Sequence, residues 1–208
     1  MTRPQQERAV QTRRAIVRAA AEVFDEAGYV GARITTILAR AGTTQGAMYF
    51  HFRSKEDLAR AVMLEQASDL RLPRTPRGLQ QLVDITLSIA VGLQHDALLR
   101  AGVQLAVDQG GPVGPDDSVY AWWSERFREE LVVARDKGET RADMDIEEFA
   151  ELLVGAYTGT QILSNIRSGR ADLPERIMTL WKYLLPGVAT PETLSAITLA
   201  VERKPQRV

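Results

Sequence analysis

The chain has 208 residues, 45% of them hydrophobic and 25% charged, which supports a packed core and excludes a disordered polymer. With no cysteine, disulfides, thiolate nucleophiles and thiolate metal ligands are excluded, and the net charge is only −1. The N-terminus has no apolar signal core and no apolar run nears membrane-spanning length, so a cytoplasmic protein with no membrane partner is expected.

The small net charge hides an uneven division. Residues 1–55 carry nine Lys/Arg against four Asp/Glu, while the remainder carries 17 against 23. Between Ala27 and Lys55 there are four cations and no acid. A basic head on an acidic body points to a polyanionic partner for the head, although a solvated charged face would give the same count.

The apolar spacing predicts helices throughout and no strand, an all-α fold. Ile16, Ala20, Val23, Phe24 and Ala27 recur at helical spacing in a first helix from about Gln5, stopped by Gly28. A second helix fits Thr35–Ala41 and ends at Gly42; Thr43 or Thr44 caps a short third through Phe50. Ser54, with Asp57 at the capping-box position, opens a fourth that runs to about Leu70. Residues 72–78, LPRTPRG, read as a linker whose Thr75 and Pro76 open a fifth helix to about Leu93. Asp96 caps a sixth to about Val107, and DQGGPVGPDD at 108–117 is a loop. A seventh helix ends near Asp136, and Asp145 with Glu148 opens an eighth to about Ser168. Asp172 and Pro174 open a ninth, ended by Pro186-Gly187, and Thr190-Pro191 open a short tenth. The two chain ends are expected to fray.

The second and third helices, joined at Ala41-Gly42-Thr43, form a helix-turn-helix. Ile34, Ile37, Leu38, Ala47 and Phe50 are expected to pack inward. This leaves Thr44, Gln45, Met48, Tyr49 and His51 outward. Thr44 and Gln45 sit where free N–H groups favour phosphate, and Gly46 allows close approach to DNA. Tyr49 and His51 can donate to phosphate, Gln45 can read a base edge, and Met48 can touch a thymine methyl unless it is core. Arg53 and Lys55 reach phosphate by charge. Periodicity alone also fits a helix-turn-helix that never meets DNA.

Residues 10–60 resemble the N-terminal domain of TetR-family transcriptional repressors. The resemblance rests on Ala19–Phe24 with Gly28-Tyr29, Thr35–Leu38, Ala41–Thr43, Gly46–Phe52 and Ser54–Leu58. It implies a three-helix DNA-reading domain over residues 1–54 and a helical ligand-binding and dimerisation domain over 55–208. It places DNA contacts on Arg33, Thr35, Thr44, Gln45, Gly46, Tyr49, His51 and Lys55. Met48 stands where the family usually has leucine, which favours a core position. Gln45 stands where lysine, serine or glutamate is commoner.

In the body, two late helices carry small and apolar faces that suit a subunit interface, or the core of one subunit. The candidates are Leu152, Gly155, Ala156, Gly159 and Leu163 in the eighth helix and Trp181, Leu184 and Leu185 in the ninth. Dimerisation is favoured because one reading head contacts too few bases. Adjacent Trp122 and Trp123 diverge by about 100° on a helix, so both cannot face the same way.

The body is similar to that of the γ-butyrolactone receptors and related autoregulator receptors of Streptomyces and other actinomycetes. The matching residues are Leu98–Gly102 with Leu105, Trp123 at its interval before Asp143-Met144-Asp145, and Val154 with Gly159-Thr160-Gln161. The resemblance sets Trp123 against a small, neutral, mostly apolar ligand: a butyrolactone, butenolide or furan-like signal. Leu82, Ile85, Ile89, Val103 and Val107 are candidate walls, and Thr158 and Gln66 candidate polar anchors. No cationic cluster in the body demands a charged ligand, and Arg100 is the residue that would overturn that reading.

The implied function is a homodimeric repressor of a palindromic operator, released by its ligand and tied to secondary metabolism. Alternatives are a repressor sensing a drug or fatty-acid derivative, or one that has lost ligand response. An enzyme is disfavoured: His51 and His95 are the only histidines, and no HExxH or glycine-rich phosphate loop occurs. No catalytic residue, metal ligand or cofactor is assigned.

Overall fold

The computed structural model describes residues 3–68, 70, 72–108 and 117–200. Most of the expected glycine-rich loop, residues 109–116, and the expected fraying ends at 1–2 and 201–208 lie outside the described residues. Among those described there are ten α-helices: α1 Arg3–Gly31, α2 Ile34–Ala41, α3 Gln45–His51, α4 Lys55–Glu65, α5 Leu79–His95, α6 Ala97–Val107, α7 Ser118–Asp136, α8 Ile146–Ser168, α9 Leu173–Val188 and α10 Pro191–Ala196. The one β-type pairing among them is an isolated bridge, Thr140 to Ala189. They divide into two compact units, one from the described residues of Met1–Asp69 and Asp96–Val119, the other from those of Leu70–His95 and Tyr120–Val208.

In the first unit α1 buries Ile16, Ala20, Val23 and Phe24, as the helical spacing selects, with Val17 beside them; Ala27, expected on the same face, is exposed next to the break at Gly28. Gly28 breaks the helix at φ 67°, ψ 172°, a conformation that glycine alone adopts readily. The break turns Tyr29 back onto Phe24, with ring centroids 5.8 Å apart. α2 ends at left-handed Gly42, as expected. Thr44, not Thr43, caps α3, accepting from Ala47 N–H. Ser54 Oγ accepts from Asp57 N–H at 3.2 Å, and the Asp57 carboxylate accepts from Arg53 N–H at 3.0 Å, so α4 opens on a reciprocal cap. It ends at Glu65, about a turn short of the expected Leu70.

α6 packs in this unit against α1 and α4. Asp96 caps it, accepting from the N–H groups of Leu98 and Leu99. Two features bring it close. Arg100 forks onto the Asp25 carboxylate at 2.7 and 3.0 Å. Gly102 lies flat on α4: a Cβ there would collide with Gln66 Cβ and stand 3.2 Å from the Val62 carbonyl oxygen.

In the second unit α5 does not start at Thr75-Pro76. It starts at Leu79, and its first N–H groups are capped from far along the chain. Glu130 Oε2 accepts from Arg77 N–H at 2.8 Å and Gly78 N–H at 3.1 Å, and Glu139 Oε2 accepts from Leu79 N–H at 2.8 Å. Glu130 is fully buried; Gln81 and Arg126, each 2.7 Å away, satisfy its other oxygen. Deeper in the unit Thr86 joins three helices. Its hydroxyl accepts from Trp181 Nε1–H at 2.7 Å, and its carbonyl accepts from the buried Tyr157 hydroxyl at 3.2 Å.

Asp145 caps α8 through Glu148 N–H as the capping box predicts. Asp172 makes no such cap for α9. Its carboxylate is taken by Arg176 and then by the Ser164 and Ser168 hydroxyls, which hold it well below the usual carboxylate range. Pro186 does not end α9; it sits inside the last turn, and the helix runs on to Val188.

Candidate nucleic-acid interface and ligand-facing residues

α3 has seven residues, enough to bury one face. Met48 occupies that face and is fully buried, with Phe52 four residues on as the next inward side chain. This settles Met48 as core. Phe50 is not core, contrary to expectation: it is 68% exposed and meets the His51 ring edge-on at 5.0 Å. Two residues are about 200° of helix turn, so burying Met48 drives Phe50 outward.

Arg33, Thr35, Thr44, Gln45, Gly46 and Tyr49 are all exposed on the α2–α3 hairpin. A Cβ added at Gly46 would meet nothing within 4 Å, so the backbone there is open to close approach. His51 is half-buried; burial, and then the charge of Arg13, hold its imidazole below the ordinary histidine range. Lys55 is also half-buried and is used inside the head. Its ammonium donates to the Ala32 carbonyl at 2.5 Å and lies 4.5 Å from the centre of the Tyr29 ring. Burial lowers its pKa, against the raising effect of Glu56. Burial, reinforced by the hydrogen bond to Glu56, pushes the Tyr29 phenol up to about 12.

Part of the head's positive charge is neutralised internally. Arg40 forks onto Glu26 at 2.8 and 2.9 Å, and Arg13 pairs with Glu65 while its guanidinium lies over Phe52. Arg33 and Arg53 are exposed and form no ion pair among the described residues. They are the cations beside the hairpin that are best placed for an anion.

Of the ligand-facing candidates, the second unit holds Trp123, Leu82, Ile85 and Ile89, all buried, and half-buried Thr158. The divergence of the tryptophans is resolved: Trp123 is 8% exposed and Trp122 49%, their rings T-shaped at 4.7 Å. The first unit holds Val103 and Val107, half-buried, and Gln66, 2% exposed. Gln66 Oε1 has no hydrogen-bond partner among the described residues. Arg100 is engaged by Asp25, which removes the obvious cation for a charged ligand.

Leu152, Gly155, Ala156, Gly159 and Leu163 line one face of α8, Leu152 and Leu163 about half-exposed and both glycines exposed. The α9 candidates need correction. Trp181 and Leu185 are buried in their own subunit, because their spacing continues the Ile177 core stripe; only Leu184 is partly exposed. Ile166 and Tyr183, missed in the sequence, are 75% and 74% exposed. Ile166 was findable, since it falls three residues after Leu163 on the same stripe. Among the described residues no group of three or more His, Asp or Glu could hold a metal ion, and no single helix is long and apolar enough to cross a membrane.

Two family models match the chain. Residues 16–62 match "Bacterial regulatory proteins, tetR family", and residues 77–190 match "Tetracyclin repressor-like, C-terminal domain". The chain is 40% identical over 197 residues to the A-factor receptor protein of Streptomyces griseus, covering 92% of this chain and 69% of that protein. It superposes on full-length TylP, a TetR regulator from Streptomyces fradiae, with a TM-score of 0.81 at 44% identity, covering 96% of this chain and 89% of that one. A γ-butyrolactone receptor described as ArpA-like superposes with a TM-score of 0.70 at 31% identity, over 92% and 96% of the two chains. With a DNA-binding helix-turn-helix domain matched at residues 16–62 and a C-terminal domain matched at residues 77–190, the chain belongs to the TetR family of bacterial transcriptional regulators.

Proposed function

We propose that this protein is a homodimeric repressor that binds a palindromic operator and is released by a small, neutral γ-butyrolactone, butenolide or furan-like signal, in control of secondary metabolism. Residues 1–54 read the DNA; residues 55–208 bind the ligand and dimerise, although α4 and α6 pack with the head. The observation that carries the reading is the row of exposed polar and basic side chains on the α2–α3 hairpin, above a core sealed by Ile37 and Met48. Gln45 reads a base edge, Tyr49 and Thr44 bond phosphate, Arg33 attracts phosphate by charge, and Thr35 and His51 flank them. Lys55 supports the head from within. Ligand identity follows from similarity to the A-factor receptor and to a γ-butyrolactone receptor, and from the buried, apolar surroundings of Trp123. The protein acts in the cytoplasm, where its operator is.

In the DNA-bound state the two recognition helices lie about 34–36 Å apart, in successive major grooves. Ligand favours a conformation that breaks that spacing, and by linkage it binds free repressor more tightly than DNA-bound repressor, by the same factor. Emptying a nearly full operator takes about 5 kcal/mol of coupling.

The test selects an operator from random duplexes and measures binding by gel shift. Arg33→Ala combined with Tyr49→Phe is expected to weaken binding about 10–100-fold, with an unchanged melting temperature because both side chains are exposed. Unchanged affinity would remove the hairpin as the reading surface.

A further inference from the structure

Residues 77–190 match a C-terminal domain model, yet α6, which falls inside that span, packs in the first unit with the reading hairpin. Arg100 fastens it there. Its Nε donates to both Asp25 carboxylate oxygens at 3.0 Å, and its Nη2 donates to one of them at 2.7 Å. The next residue of α1, Glu26, takes the Arg40 fork from the last turn of α2, and Glu22 stands 3.6 Å from the same guanidinium. Arg40 precedes the Gly42 turn by two residues and Gln45, the first residue of α3, by five. α1 breaks just beyond, at Gly28, and the piece after the break is tied to α4: Tyr29 donates to Glu56, and Lys55 donates to the Ala32 carbonyl. Between Asp25 and Ala32, therefore, the end of α1 is bonded to α2, α4 and α6.

We infer that Arg100 is a positioning residue for operator binding: through Asp25 it sets how α1 holds the α2–α3 hairpin, so that α6 is part of the DNA-reading domain. This rests on the DNA-reading function proposed above and extends that domain beyond residues 1–54. Folding stability does not account for the pair. Each side chain is 24% exposed, and an ion pair open to water adds little to folding free energy. What the fork fixes is an angle, since a planar guanidinium bonded to both carboxylate oxygens holds α6 and α1 in one relative orientation. Consecutive residues on a helix point about 100° apart, so α6 on Asp25 and α2 on Glu26 grip α1 from neighbouring sides. A hairpin that turns on α1 carries Gln45 away from the base edge it reads, and base-edge hydrogen bonds tolerate little misplacement.

The experiment measures binding of the full-length protein to the duplex selected above, by fluorescence anisotropy over a range of salt. Asp25→Asn is the informative variant, because charge and positioning predict opposite signs. If charge alone mattered, removing an acid from the head would tighten binding. We expect it instead to weaken binding about 5–50-fold. Arg100→Lys keeps the charge and loses the fork, and is expected to weaken binding in the same range. It answers the same question should Asp25→Asn fail to fold. Melting temperatures are expected to stay within about 4 °C of wild type, as for an ion pair open to water. Arg100→Gln should keep the wild-type salt slope, because no phosphate contact is lost. A slope lower by about one would make Arg100 a phosphate contact and overturn the inference. So would operator affinity in Asp25→Asn or Arg100→Lys equal to or tighter than that of wild type, with the DNA-reading function left standing. Wild type that binds no selected duplex would overturn that function and this inference with it.

Discussion

Met48 and Phe50 stand two positions apart in α3 and end on opposite sides of it. The hairpin was legible because Gly42 and Thr44 fix where α2 stops and α3 starts, and one turn later the outward positions follow. Phe50 was not, because aromatic character argues for burial and a seven-residue helix has room for only one inward face. The most informative side chain here is His51. Burial and Arg13 disfavour its protonation in the free head, so the imidazole is mostly neutral near pH 7. Two consequences differ in sign. For folding, the depressed pKa means that the unfolded chain takes up a proton first; His51's contribution is complete above about pH 6.5 and is lost as the pH falls through the folded pKa. For DNA binding, a phosphate beside the ring favours the charged form, so binding takes up a proton. Operator affinity should rise as the pH falls from 7.5 to 6, by at most about tenfold per unit for one proton, and His51→Gln should flatten the rise in fluorescence anisotropy titrations. A flat wild-type profile would remove the phosphate contact.

At the scale of elements, boundaries set by neighbours were readable and those set by distant residues were not. Asp96 and Asp145 cap the helices that follow them because the acceptor and the N–H groups are two or three residues apart. The start of α5 obeys no such local rule. Thr75-Pro76 has the composition of a helix start, yet the N–H groups at 77–79 are held by Glu130 and Glu139 from the far side of more than fifty residues. That competition is a tertiary fact, invisible to a window of sequence. It also makes Glu130 indispensable. Glu130→Ala would leave the Arg77 and Gly78 N–H groups without their acceptor and would strip the buried carboxylate from the Gln81 amide and the largely buried Arg126, which keep only the Thr75 carbonyl and the Pro73 carbonyl with Glu129. We expect a loss of about 3–5 kcal/mol, read as a lower urea midpoint. A loss below about 1 kcal/mol would show that water replaces the carboxylate.

For the molecule as a whole, the face of α8 that runs from Leu152 through Gly155 and Gly159 to Leu163 and Ile166 is apolar, small and exposed, and we assign it to the partner subunit. Leu152→Glu with Leu163→Glu would set like charges against each other across a two-fold axis. Light scattering should then report one chain, 23.1 kDa, with operator affinity falling in step; an intact dimer would place the interface elsewhere. The small residues of this stripe were legible as a close-approach surface, whereas assigning Trp181 and Leu185 to it mistook the core stripe of α9 for its outer one. The three tryptophans, 122, 123 and 181, all fall in the second unit. Indole emission therefore watches that unit alone, while far-ultraviolet ellipticity sums helices from both. Melting followed by the two signals on one sample asks directly whether the regulator unfolds as one cooperative block or in separate steps.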